Sequence, residues 1–403
     1  MCYCMRGKQA DSPHRRLLRA GAISLRPPAR PAMLCAMTTR LRLSPWFLAI
    51  AVPLMLGAAA LPTPCHAQLR PRERPPQLPA SPEIPSANLA AAAAYSKEKK
   101  GKAFLVIQNG KVLKEEYDAA GPDARRSVLS GTKAIWVLAM LNMVDENLMT
   151  LDERAAETIT EWADDPEKSQ ITIRQLLTFV SGLPVAGSLH RISTEDRFKG
   201  ALELKLIGPP GTRFAYGPAH LCILYEVMRR KLRKRLTSPW DYMVAKVARP
   251  MDLPVTNERP DKSGQPLLAS GFKFSPRDWA RVGQMLLNQG YYRNKPIVSR
   301  QSFSQIFIPT TPNPSFGMEL WLNRNASSSA RELNVEDVLD KDLEDQRWGN
   351  ACLSRYAPAD MFVSLGSGGQ RLYVVPSRNL IVVRMGAGGS FSDPYFLKLL
   401  FKK

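Results

Sequence analysis

Apolar positions follow a strand-like rhythm at both ends of the chain and a helix-like rhythm between them. "KAFLVIQNGKVLKEEY" is two β-rich runs around Asn109-Gly110, a dipeptide that favours a two-residue hairpin turn. Strand patterns return late, at Met318–Leu322, Met361–Leu365, Arg371–Val375 and Leu380–Met385. Ala87–Lys100 is alanine-rich, with Ser86 or Asn88 available as a cap, and reads as a helix. Ser130–Glu146 places Ile135, Leu138, Ala139 and Met143 on one helical face, and residues 393–401 read as an amphipathic closing helix. Residues 150–300 alternate helical patterns with Gly/Pro loops. The chain is therefore expected to be α+β: an antiparallel sheet built from its N- and C-terminal segments, flanked by helices, with a mainly helical lobe inserted at about 150–300.

Residues 86–403 form the expected folded domain, and what precedes it reads differently. From Met37 the chain runs "MTTRLRLSPWFLAIAVPLMLGAAALPTPCHAQ". Arg40 and Arg42 are a charged start, Trp46–Leu61 an apolar run, and Cys65-His66-Ala67 a small-x-small cleavage signal before Gln68. Residues 37–67 are thus expected to be a signal peptide, with 1–36 an upstream extension and the mature protein periplasmic or secreted. The apolar run, interrupted by Pro53, is short for a span of about 20 residues, so no stable membrane span is expected. Residues 68–85 are a Pro-rich linker; the six prolines at 71–85 favour extended backbone that buries nothing.

Removing the leader changes the charge. The whole chain is +20, but residues 1–67 carry nine Lys and Arg against one acidic residue, leaving 47 basic and 35 acidic residues, or +12. The basic residues are scattered, apart from Arg229–Arg235 at a predicted helix end, where cations suit the dipole, so no nucleic-acid partner is expected. Only Cys222 and Cys352 follow residue 67, which excludes a disulfide framework. With no HExxH and no Cys/His cluster, neither a metal nor any other cofactor is expected. There is no G-x-S-x-G elbow, and nothing marks His190 or His220 as a triad base.

Serine chemistry with a lysine partner remains. Ser-x-x-Lys puts both side chains on one helical face, one turn apart. A desolvated lysine has a lowered pKa and can take a hydroxyl proton. The pattern occurs at Ser130–Lys133 and at Ser270–Lys273. The second lies in an alternating segment, where its lysine points away from its serine. The first opens a predicted helix.

Around it the chain resembles a known family. "SVLSGTKAIWVLAMLNMVDENLMTLDE" is similar to the nucleophile helix of the serine β-lactamase, penicillin-binding protein and class C-like esterase superfamily. "ITIRQLLTFVSGLP", with Phe179 where His is usual, "PPGTRFAYGPAH", "SGFKFSPRDWARVGQMLLNQG" and "GSGGQRLYVVPSRNLIVVRMG" resemble further segments of that superfamily, in order. The resemblance implies that Ser130 is the acylated nucleophile, Lys133 its proton acceptor and Tyr216 the partner acid or base. It implies an oxyanion hole from the N–H groups of Ser130 and Gln370, with Ser367-Gly368-Gly369 in place of a Lys/His-Thr-Gly triplet along the substrate edge. Two positions depart from the family: Pro218 replaces a usual Asn or Ser, and the triplet lacks its cation. His220 and Arg371 lie closest in sequence to these two gaps. The expected function is an exported serine hydrolase of small esters or amides, with a small-molecule substrate and an esterase-like preference. The alternatives are a weakly active or non-catalytic envelope protein that binds peptidoglycan-type peptides, and a true β-lactamase or D-Ala-D-Ala peptidase. Substrate identity and oligomeric state are not encoded in these motifs.

Overall fold

The computed structural model describes residues 74–257, 259–339 and 348–402, all within one compact unit, Leu69–Lys403. The expected extension at 1–36 and signal peptide at 37–67 lie outside the described residues. Among the described residues, no helix is long and apolar enough to cross a membrane.

The chain enters through α1 (Ser86–Glu98) and the hairpin β1 (Gly101–Gln108) and β2 (Lys111–Tyr117). Asn109 and Gly110 both take positive φ, 52° and 76°, as a primed two-residue turn requires. Next come α2 (Lys133–Asp145), α3 (Ile173–Leu177), α4 (Ala219–Leu232) and α5 (Pro276–Leu287). The return is β3 (Trp321–Leu322), α6 (Glu336–Leu339), β4 (Phe362–Gly366), β5 (Gln370–Val375), β6 (Leu380–Gly386) and α7 (Asp393–Phe401). The main sheet has the order β2-β1-β6-β5-β4-β3, so the two ends of the domain pair at its centre. β1 and β6 run antiparallel, with Val106 opposite Val382.

Sheet residues alternate between two helical layers. Phe104 and Tyr373 meet Phe396 of α7, and α1 packs beside α7 on that face. Leu372 and Ile381 face α5, where a Cβ on Gly283 would stand 2.8 Å from Ile381; only glycine lets the helix sit this close to the strands.

Three expectations need correction. Helix α2 is not amphipathic: Lys133–Leu141 are all buried, because the helical lobe closes over the outer face as well. Met318–Leu322 is strand only at Trp321–Leu322. Gly317–Leu320 is a tight turn, in which the Gly317 N–H donates to Leu320 O (2.9 Å). A Cβ on Gly317 would lie 2.0 Å from Ile306 O, so the chain must bend there. The Pro-rich stretch is extended but not detached. Ile84 is buried, and the fully buried Gln108 amide donates to Ser81 Oγ and Pro82 O while accepting from the Ile84 N–H. Cys222 and Cys352, the two cysteines left after the leader, are both buried and unbridged.

Candidate active site

Residues Leu129–Thr132 form one 3-10 turn that leads into α2. Leu129 enters it at φ 47°, a region unfavourable to a branched side chain, so the turn must be held from outside. The Val128 N–H donates to Phe272 O (3.1 Å), and Thr132 Oγ1 accepts from the Phe272 N–H (3.0 Å). Gly131 lies against Trp279, where a Cβ would stand 2.7 Å from the indole. Ser130 is half-buried in this turn. It therefore precedes α2 instead of lying in its first turn. The Lys133 N–H donates to the Ser130 carbonyl, which keeps the two residues a turn apart.

Lys133 is buried, and its Nζ donates to Tyr216 OH (3.1 Å) and to Ala269 O (3.1 Å). Burial lowers its pKa to about 8, against the opposing charge of Glu319. Tyr216 is held in the loop before α4. There a Cβ on Gly217 would lie 2.0 Å from Val185 O, and the Ala215 N–H donates to Phe179 O (3.0 Å). Rings of Phe179 (5.3 Å), Phe316 (5.9 Å) and Trp321 (5.9 Å) surround it. Burial and then the charge of Glu319 raise the Tyr216 pKa above its ordinary value, although the Ser130 hydroxyl works the other way. Tyr216 thus keeps its proton over the range in which Lys133 loses one. The structure thus brings Lys133 onto Tyr216, with Ser130 one turn before the lysine.

The expected oxyanion partner arrives on the β4–β5 hairpin. Gly366 faces Gln370 across it, and a Cβ on Gly366 would stand 2.2 Å from Val128 O and 2.9 Å from Ser130 N. The backbones of Ser130, Gly366 and Gln370 are therefore neighbours. Ser367, Gly368 and Gly369 form the hairpin turn, with φ 75° and 77° at the glycines. The turn is clamped from two sides. Glu336 Oε2 accepts from the Gly368 N–H (3.2 Å) and Oε1 from the Gly369 N–H (2.5 Å), while Arg384 Nη1 donates to Gly369 O (2.7 Å). The Gln370 side chain is pinned to Gly386, donating to its carbonyl (2.7 Å) and accepting from its N–H (3.2 Å).

Neither neighbour of the two sequence gaps is free to fill them. Arg371 is buried, paired with Asp393 (2.6 Å) and Glu336 (2.9 Å), and donates to the Gly366 carbonyl (2.8 Å). His220 is buried between Ser181 Oγ (2.9 Å) and Ala215 O (2.8 Å), stacked on Phe179, and burial lowers its pKa to about 4. Pro218 is the N-cap residue of α4, which explains a proline there but leaves no polar side chain. The second Ser-x-x-Lys separates as expected: Ser270 is buried and Lys273 exposed.

Sequence reasoning missed Glu319 and Glu336. Glu319 is buried beside Lys133 and Tyr216, and both its carboxylate oxygens lack a hydrogen-bond partner. Its signal was the Gly317-x-Glu319 turn, which alternation disguised as a strand. Glu336 stands 32 residues before the turn it clamps, and nothing local marks it. Among the described residues, no group of three or more His, Cys, Asp or Glu could hold a metal ion.

Comparison with known proteins agrees with this fold. The chain is 25% identical over 266 residues to a 6-aminohexanoate-dimer hydrolase of Paenarthrobacter ureafaciens, covering 58% of this chain and 67% of that protein. It is 31% identical over 121 residues to the acyltransferase calJ of Penicillium decumbens, covering 24% of this chain and spanning only 29% of that protein's length. The crystal structure of a family VIII carboxylesterase shares the fold with a TM-score of 0.56 at 17% identity, covering 81% of this chain and 99% of that one. Residues 87–393, from α1 to the first residue of α7, match the Beta-lactamase family over most of the described fold, and the chain belongs to that family.

Proposed function

We propose that this protein is an exported serine hydrolase that works through an acyl-enzyme on Ser130 and prefers small esters to β-lactams or acidic peptides. The observation that carries the reading is the buried contact of Lys133 Nζ with Tyr216 OH at 3.1 Å, on a lysine one turn after Ser130. Ser130 Oγ attacks the substrate carbonyl carbon while its proton passes to the neutral Lys133 amine. The carbonyl π pair moves onto oxygen, facing the N–H groups of Ser130 and Gln370. On collapse the C–O bond to the leaving group breaks, and Tyr216 hands that group a proton as it takes one from the Lys133 ammonium. Water then attacks the acyl-enzyme by the same route in reverse, and Ser130 is regenerated. A pKa of about 8 leaves Lys133 partly neutral near pH 7, as a base must be, while Tyr216 stays a phenol able to donate.

The ester preference follows from what faces the acyl site. Pro218 offers no hydrogen bond, and the Ser-Gly-Gly turn carries the Glu336 carboxylate where a cation would receive a substrate carboxylate. Two such missing contacts, each about 1.5–3 kcal/mol, lower kcat/KM by roughly two to four decades for substrates that need them. An ester needs neither. A binding protein for peptidoglycan-type peptides would have no use for a desolvated lysine on a tyrosine, so the non-catalytic alternative is the weaker one. We expect kcat/KM for a p-nitrophenyl ester to exceed that for a chromogenic cephalosporin by at least about 10²-fold. Faster turnover of the cephalosporin would overturn the preference.

A further inference from the structure

We propose that Glu319 is a positioning residue of this site: a buried carboxylate that supplies the counter-charge for the ammonium formed on Lys133 when Ser130 gives up its proton. The inference rests on the hydrolase reading above and adds to it a group from outside the family motifs.

Three observations carry it. The first is the backbone. Gly317–Leu320 is a tight bend in which the Gly317 N–H donates to Leu320 O, and Glu319 lies in it at φ 62°. This is the left-handed region, which Gly and Asn enter far more readily than other residues. Glutamate carries a Cβ that this conformation disfavours, and strain of this kind gathers at functional sites. The second is burial. Glu319 is 5% exposed, and neither carboxylate oxygen has a hydrogen-bond partner. A carboxyl group so placed stabilises nothing by its own contacts, and a glycine would suit the turn better. The third is location. The turn lies between Phe316 and Trp321, which bridge to one another and both pack on the Tyr216 ring. The bend that carries Glu319 is therefore held against the tyrosine, and the Glu319 charge acts on both Lys133 and Tyr216.

Among the described residues, Glu319 is the one anion whose charge acts on Lys133. Tyr216 is a neutral phenol. His190, whose Nδ1 lies 3.4 Å from Ser270 Oγ, is kept uncharged by burial and by the lysine itself, with its pKa lowered to about 4. Arg371, whose charge reaches Tyr216, is a cation already matched by Asp393 and Glu336. Burial raises the Glu319 pKa to about 8, so it and Lys133 titrate as a coupled pair over the same range. When the serine proton reaches Nζ, the new ammonium faces a carboxylate across dry protein, and the charge separation of the attack costs less.

The test is the pH dependence of covalent labelling by a fluorophosphonate. Oγ bonds to phosphorus, fluoride departs and the serine proton goes to Lys133, so the rate rises as that amine loses its proton. In the wild type two coupled groups draw the rise out. Glu319→Gln keeps the shape but removes the charge, and Glu319→Gly also relaxes the turn. Both variants should show a steeper rise, moved to lower pH by about one pH unit because the lysine loses the anion that favours its charged form. Their plateau rates should fall by about tenfold. The glycine variant should melt at or above the wild-type temperature, which separates the effect from misfolding. Profiles of all three proteins that superimpose, or a shift to higher pH, overturn the role of Glu319 while leaving the hydrolase reading intact. Failure of wild-type Ser130 to label at any pH overturns the hydrolase reading, and this inference with it.

Discussion

Among the described residues, Lys133 has two hydrogen-bond acceptors, Tyr216 OH and Ala269 O, and it is buried. An ammonium needs three acceptors; an uncharged amine needs two and keeps a lone pair. The surroundings therefore suit the neutral form, and burial moves the pKa in the same direction. The lone pair is what a serine proton requires. At this scale the residue types were legible, since Ser130-x-x-Lys133 and Tyr216 stand in recognisable segments. Glu319 was not, because its importance comes from a turn and from packing that no spacing rule encodes. Lys133→Met and Tyr216→Phe should each lower kcat for a p-nitrophenyl ester by on the order of 10²-fold or more. The double variant should be little worse than either single one, because both groups serve one proton path. Steady-state kinetics checks this, and near wild-type turnover in either single variant contradicts the path.

Elements matter here by how closely their backbones approach. The end of β4 touches the Ser130 turn only because residue 366 has no side chain. Gly366→Ala would force the hairpin away from Ser130 and move the Gln370 N–H with it. We expect a loss of about 1–3 kcal/mol of stability and on the order of 10²-fold in kcat, read by chemical denaturation and ester turnover. Gly349→Ala, at a glycine with open space around it, should change neither. Such tolerances explain which elements the sequence revealed. α1, the first hairpin, β4–β6 and α7 were legible because alternation, an Asn-Gly turn and helical spacing are local signals. The Gly317–Leu320 turn looked like strand because its residues alternate, and the bend is imposed by a carbonyl from residue 306. The full burial of α2 was equally hidden, since the lobe that covers it comes from distant segments.

At the scale of the whole molecule, pairing of β1 with β6 brings the two ends of the domain into one sheet, and the lobe between them delivers Tyr216 and Ala269 to Lys133. The α+β class and the central pairing could be read from strands at both ends of the chain. The site could not be assembled from periodicity alone, because its residues are spread from 130 to 370 over a turn, a helix, loops and a strand. The basic run at 229–235 found a structural use: Arg229 and Arg230 pair with Glu226, Lys231 with Glu153 and Arg235 with Glu146, which fastens the end of α4 to the lobe. The proposed function rests on one claim, that Ser130 is a nucleophile activated by a buried lysine. The most direct test is intact-mass analysis after brief exposure to a fluorophosphonate, followed by peptide mapping. The account predicts one adduct per chain, located on Ser130 and lost in Ser130→Ala. Absence of an adduct in the wild type, or an adduct that persists undiminished in Ser130→Ala, would contradict it.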